Sequence, residues 1–224
     1  MNHLPKIFCI TLKDYINRKS YAEEHFKKHK LDVTFHEGIN GKNFGLKTVI
    51  PYMDDIFFKN PNWKPGDSPM CFISQGQLGC LLSHYMLWNI LNYLSYDEYI
   101  IFEDDVILCE NFIEKFLDYK SRLPKDWQYV FLGRSCLDNL TIEQHDQNVI
   151  TTKFPPLGTF AYMIKKEIIP LLIETNNVAW TAIDIQIQKR SLMAKNIKYY
   201  IFEPPLISEI SGNQPDHPFI KSTM

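Results

Sequence analysis

Tyr99-Ile100-Ile101-Phe102 runs straight into Glu103-Asp104-Asp105, and Val106-Ile107-Leu108 follows at once. Four consecutive aromatic or β-branched residues predict a strand buried on both faces, as in the middle of a parallel sheet. Three carboxylates at the end of such a strand repel one another and lose hydration, which opposes folding unless a cation is bound. If the backbone stays extended, Glu103 and Asp105 point to one side and Asp104 to the other. Two hard oxygen donors at the carboxyl end of a strand suit a divalent ion that also holds phosphate oxygens. The plainer reading is an acidic turn before a helix. The apolar segments on both sides of the triplet favour the metal.

Outward from this strand, the chain reads as alternating strands and helices. Lys6 to Leu12 is a first strand, Asn17 to Lys30 a helix with Tyr21, Ala22 and Phe26 on its apolar stripe, and Val33 to His36 a second strand. This β-α-β opening implies a parallel pair with a right-handed crossover. Gly38-Ile39-Asn40-Gly41 is turn-rich, and Gly45 to Ser74, with four prolines, is the least regular region. Ser74-Gln75-Gly76-Gln77 matches a capping box for a helix running to about Asn92. A helix near Asn111 to Tyr119, a strand at Tyr129 to Leu132 and an irregular stretch to about Thr151 come next. Tyr162 to Ile164 is a strand, Lys165 to Glu174 and Ala182 to Ala194 are helices, and Lys198 to Phe202 is the last strand. The tail from Glu203 reads as irregular. The expected class is α/β with a mostly parallel central sheet flanked by helices.

Composition bounds the function. With 224 residues the chain can bury one substantial core, and a net charge of −2 makes no electrostatic case for nucleic acid. The basic run Lys27-Lys28-His29-Lys30 reads as the C-terminal end of a helix, where cations are favoured. Five cysteines, widely spaced and without a C-x-x-C pair, predict reduced thiols and hence a cytoplasmic setting. No apolar run approaches the roughly 18 residues of a membrane span, although peripheral membrane contact stays open.

Several segments together resemble the family 25 glycosyltransferases, which include bacterial lipooligosaccharide galactosyltransferases and collagen-modifying sugar transferases. The segments are Ile10-Thr11-Leu12 with Asn17-Arg18, Gly38-Ile39-Asn40-Gly41, Gly76-Gln77-Leu78-Gly79-Cys80-Leu81-Leu82-Ser83-His84, and Glu103-Asp104-Asp105. Gly158-Thr159-Phe160-Ala161-Tyr162 and Ile183-Asp184 extend the resemblance over most of the chain. Thr11 stands where the family commonly has asparagine, and its hydroxyl can still bond a base or ribose.

The resemblance implies a GT-A fold: a nucleotide-sugar-binding half over about 1–105 and an acceptor-binding half over about 106–224, in one domain. It implies inverting transfer of a hexose, galactose or glucose, from a UDP-sugar to a hydroxyl of a glycan, glycolipid or glycoprotein. The acidic triplet becomes a DxD-type motif for Mn²⁺ or Mg²⁺, with Asp105 as direct ligand, Glu103 on the ribose or the metal shell, and Asp104 sharing the site. By analogy with GT-A enzymes that close the site late in the chain, His217 is a further metal ligand; a solvated tail histidine is the plainer reading. Thr11, Leu12, Arg18, Gly76 and Ser83 are the other expected donor contacts. Gly76 stands at a helix start, where free N–H groups favour anions. The glycines equally suit tight packing, and Ser83 and His84 equally suit a structural role. Asp184 is the expected base, with a first-turn helix role as its competitor. Two readings of other classes are a metal-dependent nucleotide hydrolase and a non-catalytic nucleotide-sugar- or glycan-binding module.

Overall fold

The computed structural model describes residues 3–44, 73–135, 141–179 and 181–210. Tyr99, Ile100, Ile101 and Phe102 are all fully buried in strand β3 (Glu98–Glu103), near the centre of an eight-stranded sheet. Burial of side chains this size contributes about 1.5–3 kcal/mol each. The strand is flanked by β1 (Lys6–Thr11), which pairs in parallel with both β3 and β2 (Val33–Glu37). On its other side lies β8 (Ala161–Lys165), then β5 (Tyr129–Phe131), β9 (Tyr199–Phe202), β7 (Val149–Thr152) and β6 (Ile142–Asp146). β8 pairs antiparallel with β3 and β5, and β7 pairs antiparallel with β9 and β6, so these two strands oppose the direction shared by the other six. A small second sheet joins β4 (Val106–Leu108) to β10 (Ile207–Glu209).

Alternation along the strands divides the core in two. Phe8, Ile10, Tyr99, Ile101, Tyr129 and Tyr162 face α2 (Gln75–Tyr93), α4 (Ile169–Thr175) and α5 (Ile183–Gln186), the last continuing as a π-helix over Ile187–Met193. Ile7, Cys9, Ile100, Phe102, Val130 and Met163 face α1 (Ile16–Lys28) and α3 (Phe112–Ser121). The capping box of α2 is complete: Gln77 N–H donates to Ser74 Oγ, and Ser74 N–H to Gln77 Oε1. Among the described residues no helix is long and apolar enough to cross a membrane.

Three expectations need correction. The stretch before Thr151, expected to be irregular, contains the β6–β7 hairpin, whose first strand is largely exposed and carries no apolar alternation. The tail after Glu203 contains β10. The triplet does not continue extended: β3 ends at Glu103, and Asp104 and Asp105 lie in the turn before β4. Asp104 and Asp105 therefore share one cation, Arg18, while Glu103 points elsewhere.

A histidine ties α1 to β4. His25 Nε2 accepts the Leu108 N–H at 3.0 Å and the ring stacks on Tyr21, with His29 beside it. Burial, then the neighbouring His29 and Lys28, push its pKa down to about 4. The folded state thus holds the neutral ring. That contribution is complete above the ordinary value near 6.5 and is lost as the pH falls toward 4. Allowing for solvent around a half-buried ring, urea unfolding should show roughly 1–2 kcal/mol of stability disappearing over that window. His25→Gln should lose less there; an unchanged pH slope in the variant would remove His25 from the account.

Candidate active site

The carboxyl ends of β1 and β3, the loop after β2 and the start of α2 enclose a cavity of about 170 Å³. Thr11, Leu12, Arg18, Gly76, Ser83, Glu103 and Asp104 all line it, so the expected donor contacts converge although they are scattered over the chain. A second cavity of about 200 Å³ is lined by Asp184, Ser135, Thr159 and Glu209, and it shares Cys80 and Glu103 with the first. His217 lies outside the described residues.

Backbone contact builds the first cavity. The loop Gly38–Gly41 crosses α2 so closely that a Cβ on Gly41 would stand 1.7 Å from the Gln75 carbonyl oxygen. A Cβ on Gly79 would stand 2.6 Å from both Gly41 N and Ile39 O. Ser83 fastens this crossing: its Oγ accepts the Ile39 N–H and donates to the Gly79 carbonyl, each at 2.7 Å. The donor and one of the two acceptor positions are thereby used, so Ser83 shapes the cavity wall. Gly76 differs: a Cβ there meets only Ser74 Oγ at 3.9 Å.

Charge concentrates at the triplet. Arg18 reaches Asp104 Oδ1 at 2.5 Å and Asp105 Oδ2 at 2.7 Å, and Thr11 Oγ1 donates to Asp104 Oδ2 at 2.9 Å. Burial raises the Asp104 carboxyl, and Arg18 and Thr11 offset that only in part. Asp105 is pushed up to about 6, by burial first and then by Glu103, against the pull of Arg18. Its Oδ1 is buried and has no hydrogen-bond partner among the described residues, as is true of Arg18 Nε.

Glu103 is held differently. Its Oε1 accepts from Thr159 Oγ1 at 2.8 Å and lies 3.3 Å from His84 Nε2. Burial works to raise this carboxyl, but His84, Thr159 and Arg18 outweigh it and hold it below the usual glutamate range. His84, fully buried, places Nδ1 2.9 Å from the Tyr162 hydroxyl, which also accepts from Trp88 Nε1. Asp184 occupies the first turn of α5, its Oδ1 accepting the Ile185 N–H at 2.8 Å. That bond is the first-turn helix role, and the residue also lines the second cavity.

These segments, in this order, match a known family. Residues 4–187 match the family model described as glycosyltransferase family 25 (LPS biosynthesis protein). The chain belongs to glycosyltransferase family 25. A putative glycosyltransferase of Haemophilus influenzae is 26% identical over 223 residues, covering 96% of this chain and 74% of that protein. Lipooligosaccharide biosynthesis protein lex-1 of the same species is 30% identical over 164 residues, 63% of this chain and 52% of the relative. Human procollagen galactosyltransferase 2 is 24% identical over 139 residues, 58% of this chain but 20% of its own length. The chain likewise spans only 22% and 21% of the family members from Anopheles gambiae and Aedes aegypti. Among solved structures, the glycosyltransferase GlyE of Streptococcus pneumoniae superposes with a TM-score of 0.50 at 10% identity, covering 96% of this chain and 56% of that one. This likeness concerns the fold, which is of the GT-A glycosyltransferase type.

Within the family 25 frame, sequence reasoning missed Glu209. It sits on β10, in the stretch after Pro204-Pro205 read as irregular, and lines the Asp184 cavity. Burial, then Glu103 and Asp184, raise its carboxyl. The apolar pair Leu206-Ile207 just after the prolines was the available signal, and it carries no alternation. Nothing in the sequence pairs Tyr162 with His84, because that contact joins elements 78 residues apart.

Proposed function

We propose that this chain is an inverting, metal-assisted glycosyltransferase that moves a hexose from a UDP-sugar to a hydroxyl of a glycan, glycolipid or glycoprotein. One observation carries the reading. Two aspartate carboxylates share a single guanidinium, with Glu103 directly before them in the chain, and one buried oxygen, Asp105 Oδ1, has no partner among the described residues. A divalent ion fits there by charge and by hard oxygen chemistry. Asp105 would hold it, with Asp104 beside it and Glu103 toward the sugar end of the cleft. When bound, the ion supplies Lewis-acid stabilisation of the negative charge that develops on the departing diphosphate.

The chain's own groups divide the remaining work. The Thr11–Arg18–Gly76 cavity takes the nucleotide, and Arg18 Nε offers a further donor to a phosphate oxygen. The Asp184 cavity takes the acceptor. Glu103 lines both, at the place where the sugar must pass between them. Asp184 receives the acceptor hydroxyl's proton as that oxygen attacks the anomeric carbon, and Glu209 lies across the same cavity. Galactose is our first choice of sugar because human procollagen galactosyltransferase 2 is among the relatives. A glycoconjugate acceptor follows the naming of lex-1. The free thiols of Cys9, Cys80 and Cys109 suit a reducing compartment.

UDP release from UDP-galactose and UDP-glucose, measured with Mn²⁺ and again with EDTA, tests the reading. Metal-dependent release should fall at least tenfold in EDTA. Neither release nor calorimetric UDP binding in the presence of Mn²⁺ would overturn it.

A further inference from the structure

We propose that Cys80, His84 and Glu103 form a second cation site, distinct from Asp105 and suited to a borderline ion of the Zn²⁺ or Co²⁺ type. The three ligand atoms, a thiol sulfur, a ring nitrogen and a carboxylate oxygen, lie within 4.8 Å of one another. A soft, an intermediate and a hard donor together disfavour Mg²⁺ and suit zinc or cobalt.

The spacing supports this. His84 Nε2 and Glu103 Oε1 are 3.3 Å apart, which is about the edge of a tetrahedron whose metal bonds measure about 2.0–2.1 Å. The Cys80 sulfur lies within 4.8 Å of both other ligand atoms, and its longer bond of about 2.3 Å shortens the distance it must close. Cys80 and His84 stand four residues apart on α2, hence on one helix face. Glu103 ends the fully buried run of β3, so all three ligands sit on rigid elements.

The supporting contacts of a metal site are also in place. A ligating histidine normally anchors its other ring nitrogen, and here His84 Nδ1 meets the Tyr162 hydroxyl, itself fixed by Trp88. Thr159 fixes the carboxylate. Binding displaces the thiol proton, because the metal ligand is the thiolate. In the metal-bound form His84 Nε2 is bare, and the ring proton sits on Nδ1, where the Tyr162 oxygen accepts it. Thiolate, carboxylate and a doubly charged ion sum to neutrality. Cys80 and Glu103 line both cavities, so the remaining coordination position opens to solvent or ligand.

Cobalt titration tests the site without reference to sugar transfer. With one equivalent of Co²⁺ the protein should show an intense near-ultraviolet thiolate-to-cobalt band. Cys80→Ser should abolish the band and weaken Zn²⁺ binding in equilibrium dialysis at least tenfold. Glu103→Gln should keep the band but weaken Co²⁺ binding about tenfold, and Asp105→Asn should retain both band and affinity. No band in the unaltered protein, or an undiminished band in Cys80→Ser, overturns the proposal. Should Cys80→Ser fail to fold, undiminished Co²⁺ affinity in Glu103→Gln overturns it equally.

Discussion

Asp105→Asn should lower metal-dependent UDP release by about 10³-fold, close to 4 kcal/mol of transition-state stabilisation, while making the metal-free protein more stable. The two effects share one cause. In the fold the Asp105 carboxyl is pushed up to about 6, first by burial and then by Glu103, although Arg18 lies 2.7 Å away. A carboxyl whose folded pKa exceeds its unfolded value near 3.9 destabilises the fold wherever it is ionised. That penalty grows as the pH rises from about 4 to about 6 and is complete above. Asparagine keeps the shape and removes the charge, so at pH 7 in EDTA the variant should gain roughly 1–2 kcal/mol. This discounts the full shift for the Arg18 contact that is lost. Adding Mn²⁺ should raise the melting temperature of the unaltered protein and leave that of the variant unmoved. A variant less stable than its parent in EDTA would show that Arg18, and no missing cation, is the partner this carboxylate needs.

The same triplet shows what was and was not legible in the residues themselves. The four apolar residues before it cover both faces of β3, and no solvated arrangement accommodates such a run, so strand and sheet could be read directly. The capping box of α2 was equally plain. Strand direction was not: β8 is as apolar as β3, and full burial on two faces looks the same whether the neighbours run parallel or antiparallel. Hairpin β6–β7 and strand β10 escaped because exposed or proline-flanked strands lack the alternation that marks a half-buried one. At the site, the residue types were legible but their partners were not. A turn immediately after Glu103 reverses which carboxylates share a side, and period-two reasoning fails as soon as a strand ends. Glu103 therefore meets His84 and Thr159, and Arg18 meets the two aspartates.

Two glycines that line the first cavity should behave in opposite ways. Gly41→Ala should destabilise the protein by roughly 3–5 kcal/mol, since its Cβ would lie 1.7 Å from a carbonyl oxygen of α2 and neither backbone can withdraw alone. The Ser83 bond to Ile39 N–H holds the loop against the helix, so relief requires breaking that bond and opening the cavity lined by Thr11, Arg18 and Gly76. Gly76→Ala meets open space, with its nearest neighbour 3.9 Å away, and alanine is the better helix former by up to about 1 kcal/mol. Stability should stay level or rise there. Donor affinity separates the two roles weighed for Gly76: if its bare Cα lets a phosphate or sugar approach α2, the alanine variant should bind UDP about tenfold more weakly despite its intact fold. Unchanged affinity would leave Gly76 as a helix-start residue only and move the donor contact to the Gly41 side of the cavity. Denaturant unfolding and UDP calorimetry on both variants read these effects independently, because a wall built of backbone against backbone fails through stability, whereas a contact surface fails through binding alone.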